Sequence, residues 1–189
     1  MGLNIIIKTE IVIIILLLLL YYLSFINNKL FLLFIKNVLC KFRLIDRKSE
    51  ILKNLWLGDY TMSQDISFIK KNNIKFILNI STDLSFLKME KSYKIKKMRI
   101  PINDDGSLLS NEILLNNFEK IYGIIKKYIE NNKGVYIHCS QGVQRSPAFV
   151  VLFLKKYKNI SNKKAIEFIK TKRPSIFYNG CNFKRCLSL

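Results

Sequence analysis

Three kinds of apolar pattern divide the chain. The first is an uncharged run of Ile, Val, Leu, Tyr and Phe, with one Ser, from Ile11 to Ile26. Asn27-Asn28-Lys29 interrupts it, and Leu30 to Ile35 is apolar again. At about 1.5 Å per residue the first run falls just short of the roughly 30 Å hydrocarbon core of a bilayer. Extended to Ile35, with the Lys29 amine snorkelling, it is long enough. No Ala-x-Ala-like site follows for removal of a secretory signal. Ile6 stands where N-myristoylation of Gly2 wants Ser or Thr. The expectation is therefore an uncleaved membrane anchor over residues 1–35. Downstream come Lys36, Lys41, Arg43, Arg47 and Lys48, whereas Lys8 on the other side is offset by Glu10. The positive-inside rule then puts the C-terminal side in the cytosol. Residues 36–50 read as a basic juxtamembrane linker, and 51–189 as the folded domain.

The second and third patterns alternate through that domain. Short apolar, β-branched and aromatic runs at Leu55–Leu57, Phe76–Ile80, Met98–Ile102 and Val135–His138 predict strands. From Ser110 onward, Ile113, Leu114, Phe118, Ile121, Ile125 and Tyr128 share one helical face, and Asn131-Asn132-Lys133-Gly134 ends it. A further helix runs from about Ser161 to Lys172 and stops before Pro174. Strand and helix in alternation imply an α/β fold.

One junction carries chemistry. The strand ending at His138 is followed by Cys139-Ser140-Gln141-Gly142-Val143-Gln144-Arg145-Ser146-Pro147, then by an apolar helix from Ala148. Ser146 and Pro147 suit the N-cap and first turn of that helix. Strand, tight loop and helix N-terminus in this order form an anion cradle, with N–H groups converging on one point. A thiol becomes a nucleophilic thiolate near neutral pH only beside positive potential, which a helix N-terminus and a neighbouring cation supply. Cys139 sits at the base of the cradle. Arg145 presents a planar fork that holds two phosphate oxygens, and Gly142 frees the loop backbone. This pattern suits attack by sulfur on a phosphate monoester. The leaving alkoxide or phenoxide then needs a proton, and the polar turn after Ile100-Pro-Ile offers two donors, Asp104 and Asp105.

Charge and cysteine usage change the picture little. The 189 residues carry 32 basic and 13 acidic side chains, a net +19. Anionic lipid, phosphorylated substrates and nucleic acid would each suit that sign. No nucleic-acid motif or aromatic-interleaved basic repeat appears, so no nucleic-acid partner is expected. Heavy use of Ile, Lys and Asn, with Ala only at 148 and 165, also fits a genome-wide codon bias. Cys40, Cys139, Cys181 and Cys186 have neither zinc spacing nor a disulfide framework. No metal and no cofactor are expected, and a catalytic thiolate argues for a reducing compartment. His138 is the single histidine, so no triad with a second, free histidine can form.

At His138-Cys139-x5-Arg145-Ser146 the chain resembles the cysteine-dependent protein phosphatases, and within them the small dual-specificity phosphatases. Leu55-Trp-Leu-Gly58, Phe76 to Ser81, Ile100-Pro-Ile-Asn-Asp104 and Arg173-Pro174 fall in the order and rough spacing of that family. The resemblance implies a mainly parallel central sheet with most helices on one side. It implies Cys139 as nucleophile, Ser140 to Arg145 as the phosphate-binding loop, and Asp104 as general acid. Ser146 would help Cys139 leave the phosphocysteine, and His138 would order the loop without carrying the proton. Phosphotyrosine and phosphoserine/threonine proteins are the implied substrates. A phosphoinositide or phospholipid phosphatase, a non-catalytic phospho-binding module and a rhodanese-like Cys-x5-Arg protein are the alternatives. One departure stands out: Tyr178-Asn179 replaces the family's Pro-Asn, and Phe183 lies four residues past Asn179 instead of three. The last loop should therefore be reshaped.

Overall fold

A computed structural model describes residues 46–89, 92–178 and 180–188, together with Leu16. The expected anchor over 1–35 and the linker up to residue 45 lie outside the described residues, Leu16 apart. Among the described residues no helix is long and apolar enough to cross a membrane.

Five strands among these residues form one sheet: β1 (Lys48–Leu52), β2 (Leu55–Gly58), β3 (Ile74–Asn79), β4 (Lys96–Arg99) and β5 (Gly134–His138). Their order across the sheet is β1-β2-β5-β3-β4. All neighbours pair parallel except β1, which runs antiparallel along β2. Because side chains alternate along a strand, each inner strand feeds two cores. Leu55, Leu57, Phe76, Leu78, Val135 and Ile137 face one, and Ile77 and Tyr136 the other; Ile74, ahead of a register shift between Ile74 and Phe76, also joins the second. Burial on both faces is why these strands read as nearly unbroken apolar runs.

The larger core is closed by α3 (Leu108–Glu130), α4 (Arg145–Lys158), α5 (Asn162–Lys172) and α6 (Lys184–Leu187). Two short helices, α1 (Tyr60–Ser63) and α2 (Ile66–Lys71), cover the other side with Met62, Phe68 and Ile69. In α4 every residue from Arg145 to Leu154 is buried, so its first turn sits inside the molecule against the end of β5. The mixed sheet with helices on both faces, most of them on one, matches the expected class.

Several boundaries differ from the sequence reading. β1 begins at Lys48, so the last residues assigned to a linker belong to the sheet. Ser49 and Ile51 point inward, but Lys48 and Glu50 hid the alternation. Lys53-Asn54 turns the chain from β1 into β2, with Asn54 at φ 67, a left-handed backbone that asparagine adopts more readily than most residues. β4 ends at Arg99, since Pro101 offers no N–H to continue a ladder. α3 starts at Leu108, capped by Ser107, whose hydroxyl accepts from Ser110 N at 3.1 Å. α4 begins at Arg145 with Gln144 as its N-cap. Ser146 is thus inside the first turn, with its hydroxyl committed elsewhere.

Candidate active site

β5 is the middle strand, and its C-terminal end is where ligands settle in open α/β sheets. It delivers His138 and Cys139 there, and the loop Ser140–Gln144 turns the chain into α4. Every carbonyl of that loop is bonded outward. Ser140 O accepts from Tyr60 N at 3.0 Å, and Val143 O from Phe177 N at 3.0 Å. Gln141 O and Gly142 O both accept from the Arg173 guanidinium, at 3.1 and 3.0 Å. Gln144 O accepts the first helical bond, from Ala148 N at 3.0 Å. With its carbonyls fixed outward, the loop has its N–H groups left to face the centre.

At that centre lies the Cys139 sulfur, accepting from Gly142 N–H and from the Ser146 hydroxyl, each at 3.3 Å. Burial pushes this thiol up. The Arg145 charge, both Ser146 bonds and the Gly142 N–H outweigh burial and leave it below the ordinary cysteine value. Gly142 is required twice over. Its φ is +69, and a Cβ would come within 2.5 Å of Gly58 O.

Arg145 and Asp104 face each other beside the sulfur. Arg145 is buried; its Nη1 donates to Ile102 O at 3.5 Å, and its Nε lies 3.5 Å from Asp104 Oδ2. That approach lacks hydrogen-bond geometry, so Nε is a buried donor without a hydrogen-bond partner. Burial of this kind calls for an acceptor, and a phosphate oxygen would supply one. Asp105, the second candidate acid, is turned to a different task. Its Oδ1 accepts from Ser107 N at 3.0 Å, and that bond holds its carboxyl below the usual range. The structure thus brings Asp104, and not Asp105, to Arg145.

His138 Nδ1 pairs with Cys139 O at 3.2 Å, and the ring stacks on Tyr136 with centroids 5.7 Å apart. Burial pushes its pKa down to about 4, so near neutral pH it is an uncharged support for the loop. Gln144 is turned away from the cradle. Its Nε2 donates to Gly180 O at 2.7 Å and its Oε1 accepts from Asn182 N at 3.1 Å. Burial raises the thiols of Cys181 and Cys186, the latter to about 12, so among the described cysteines Cys139 alone is biased toward thiolate.

Sequence reading missed three supports. Arg173 shows in the sequence only as half of a matching dipeptide, yet it is buried and each of its three guanidinium nitrogens donates to backbone, including Nη1 to Asp46 O at 2.7 Å. Phe177 carried no signal; it reaches Val143 by adopting φ 52. Asn182 donates to Asp104 O at 3.3 Å and to Asp104 Oδ1 at 3.2 Å.

A buried cysteine ringed by donors at the end of a central parallel strand, with an arginine in the first turn of the next helix, defines a thiolate-based phosphate site. The profile described as "Dual specificity phosphatase, catalytic domain" matches residues 55–189, and the chain belongs to that family of the cysteine-dependent phosphatases. It is 31% identical over 134 residues to Dual specificity protein phosphatase Mpk3 of Drosophila melanogaster, covering 71% of this chain and 31% of that protein. It is 32% identical over 130 residues to human Dual specificity protein phosphatase 6, covering 69% and 33%. The chain therefore spans about a third of the length of these relatives. Among solved structures, human DUSP28 superposes with a TM-score of 0.66 at 17% identity, over 76% of this chain and 91% of that one. PTPMT1 in complex with PI(5)P gives 0.62 at 19%, over 76% and 94%. These likenesses are of fold.

Proposed function

We propose that the chain is a cysteine-dependent protein phosphatase that hydrolyses phosphotyrosine and phosphoserine/threonine through a phosphocysteine on Cys139. The observation that carries the reading is the Cys139 sulfur, held between the Gly142 N–H and the Ser146 hydroxyl, beside the buried Arg145, whose Nε has no hydrogen-bond partner. In the first step the thiolate attacks phosphorus while Arg145 and the loop N–H groups bind the non-bridging oxygens, where charge builds in the transition state. Asp104 gives its proton to the departing oxygen. In the second step Asp104, now a carboxylate, takes a proton from water as the water attacks phosphorus. The S–P bond breaks, and Ser146, already bonded to the sulfur, stabilises the thiolate as it leaves. His138, neutral, holds the Cys139 carbonyl.

Cys139→Ser tests this directly. A serine hydroxyl is far too weak a nucleophile at neutral pH, while its volume leaves the cradle filled. Turnover of phosphotyrosine and phosphothreonine peptides should vanish, with the thermal midpoint within a few degrees of wild type. Activity retained near wild type would end the covalent mechanism.

The reading further holds residues 1–35 to be an uncleaved single-pass anchor, with the catalytic domain in the cytosol. The uncharged run from Ile11 to Ile26 and the basic residues from Lys36 to Lys48 support it. Full-length protein should resist alkaline carbonate extraction, and protease outside intact vesicles should digest the catalytic domain. A protected, lumenal domain would refute the orientation.

A further inference from the structure

Asp104 is an exposed residue on an exposed turn, yet proton donation requires one of its oxygens to be aimed with little freedom. The segment Gly180–Asn182 supplies the restraint. Its backbone lies against the acid turn: Gly106, at φ +65, leaves no room for a Cβ, which would come 2.4 Å from Asn182 O. The Asn182 side-chain amide donates to both the carbonyl and Oδ1 of Asp104. Asn182 is itself held at both sides. Its N–H is taken by Gln144 Oε1 from the end of the phosphate loop, and the next residue, Phe183, is fully buried in the main core.

We propose that Asn182 is the positioning residue for the general acid, and that Gln144 sets Asn182 from the end of the phosphate loop. The inference rests on the phosphatase reading above. Its chemistry is specific. An N–H donor directed at Oδ1 is accepted best by an unprotonated, carbonyl-type oxygen, a stronger acceptor than a carboxylic hydroxyl. It therefore directs the transferable proton to Oδ2, the oxygen 3.5 Å from Arg145 Nε and so the one nearer the bound phosphate. The stretch that departs from the family spacing, between Asn179 and Phe183, is the stretch that places this amide.

The test uses the full-length protein and two substrates, phenyl phosphate, with a poor leaving group, and 4-nitrophenyl phosphate, with an activated one. Asn182→Ala and the near-isosteric Asn182→Asp, which has no N–H to offer, should each lower kcat on phenyl phosphate about tenfold. That is well below the roughly 10²-fold or greater contribution of a general acid itself. The loss on 4-nitrophenyl phosphate should be at most about threefold, because an activated leaving group draws little on the acid. Adding Asn182→Ala to Asp104→Asn should cost nothing more. Equal losses on both substrates, no loss on either, or full additivity in the double variant would overturn the proposal. If Asp104→Asn shows the leaving-group signature and the Asn182 variants do not, only this inference falls. If Asp104→Asn lacks that signature, the assignment of the acid falls and takes the inference with it.

Discussion

The phosphate loop and the acid turn sit side by side and are built on opposite plans. Ser140 to Gln144 is a loop with every carbonyl tied outward, two of them to one buried guanidinium, Arg173. Its nucleophile is buried and its arginine starts a helix with no exposed residue in its first ten. The turn from Asn103 to Asp105 is exposed, and side chains brought from far along the chain hold it. Under the proposed mechanism the difference follows from the two tasks. Stabilising charge on the phosphoryl oxygens demands dipoles that do not move. Donating a proton demands a carboxyl that can lose and regain it, and that needs contact with water. A rigid cradle and a restrained but wet acid are therefore parts of one mechanism.

Replacing the central charge of each region should produce two different signatures. Arg145→Lys keeps the charge but loses the planar fork. Turnover should fall about 10³-fold, on the scale of losing a transition-state donor or more, and equally for every leaving group. Asp104→Asn should cost about 10²-fold on phosphopeptides and much less on 4-nitrophenyl phosphate. Asp105→Asn disturbs only local bonds to Ser107 and Ser110 and should change kcat by less than about twofold, as expected of a surface turn. Steady-state kinetics over a series of aryl phosphates separate the three. If the Arg145 loss tracks leaving-group acidity, or Asp105 and Asp104 exchange signatures, the division between the regions is drawn in the wrong place.

The same contrast explains what could be read from the chain. β5, the loop and α4 lie within about two dozen consecutive residues, so glycine, cysteine, arginine and apolar runs announced them together. The supports came from further away. Arg173 reaches Gly142 across 31 positions, and Asn182 reaches Asp104 across 78. No local periodicity marks such partners. The short helices α1 and α2 escaped sequence reading for a different reason. Each is held by an aspartate cap, Asp59 to Met62 N and Asp65 to Phe68 N, with too few residues to show a period. The choice of Asp104 over Asp105 as the acid rests on resemblance, and no local pattern marks that the two carboxylates face different partners, Arg145 and Ser107.

The smallest effect concerns pH, and it sets the buried region against the exposed one once more. His138 and Asp105 both bind protons more weakly than usual, but for opposite reasons. Asp105 is fully exposed and lowered by a turn bond to Ser107, so solvent screens it and its influence on stability is slight. His138 is lowered to about 4 by burial, which no solvent relieves. Above the ordinary histidine value of 6.5 both folded and unfolded chains carry the ring neutral, and stability is independent of it. As pH falls below 6.5 the unfolded chain takes up a proton that the folded one refuses, so stability is lost down to about pH 4. Linkage gives a loss of about 2 kcal/mol at pH 5 relative to pH 7.5. Urea midpoints at pH 7.5, 6 and 5 for wild type and His138→Asn isolate this contribution, because the carboxylates titrate in both proteins. The wild-type curve should fall faster between pH 6.5 and 5, and the variant should lose that extra slope. Parallel curves would mean that the ring beneath the cradle is open to water, and that the loop above it is less rigid than its outward-bonded carbonyls imply.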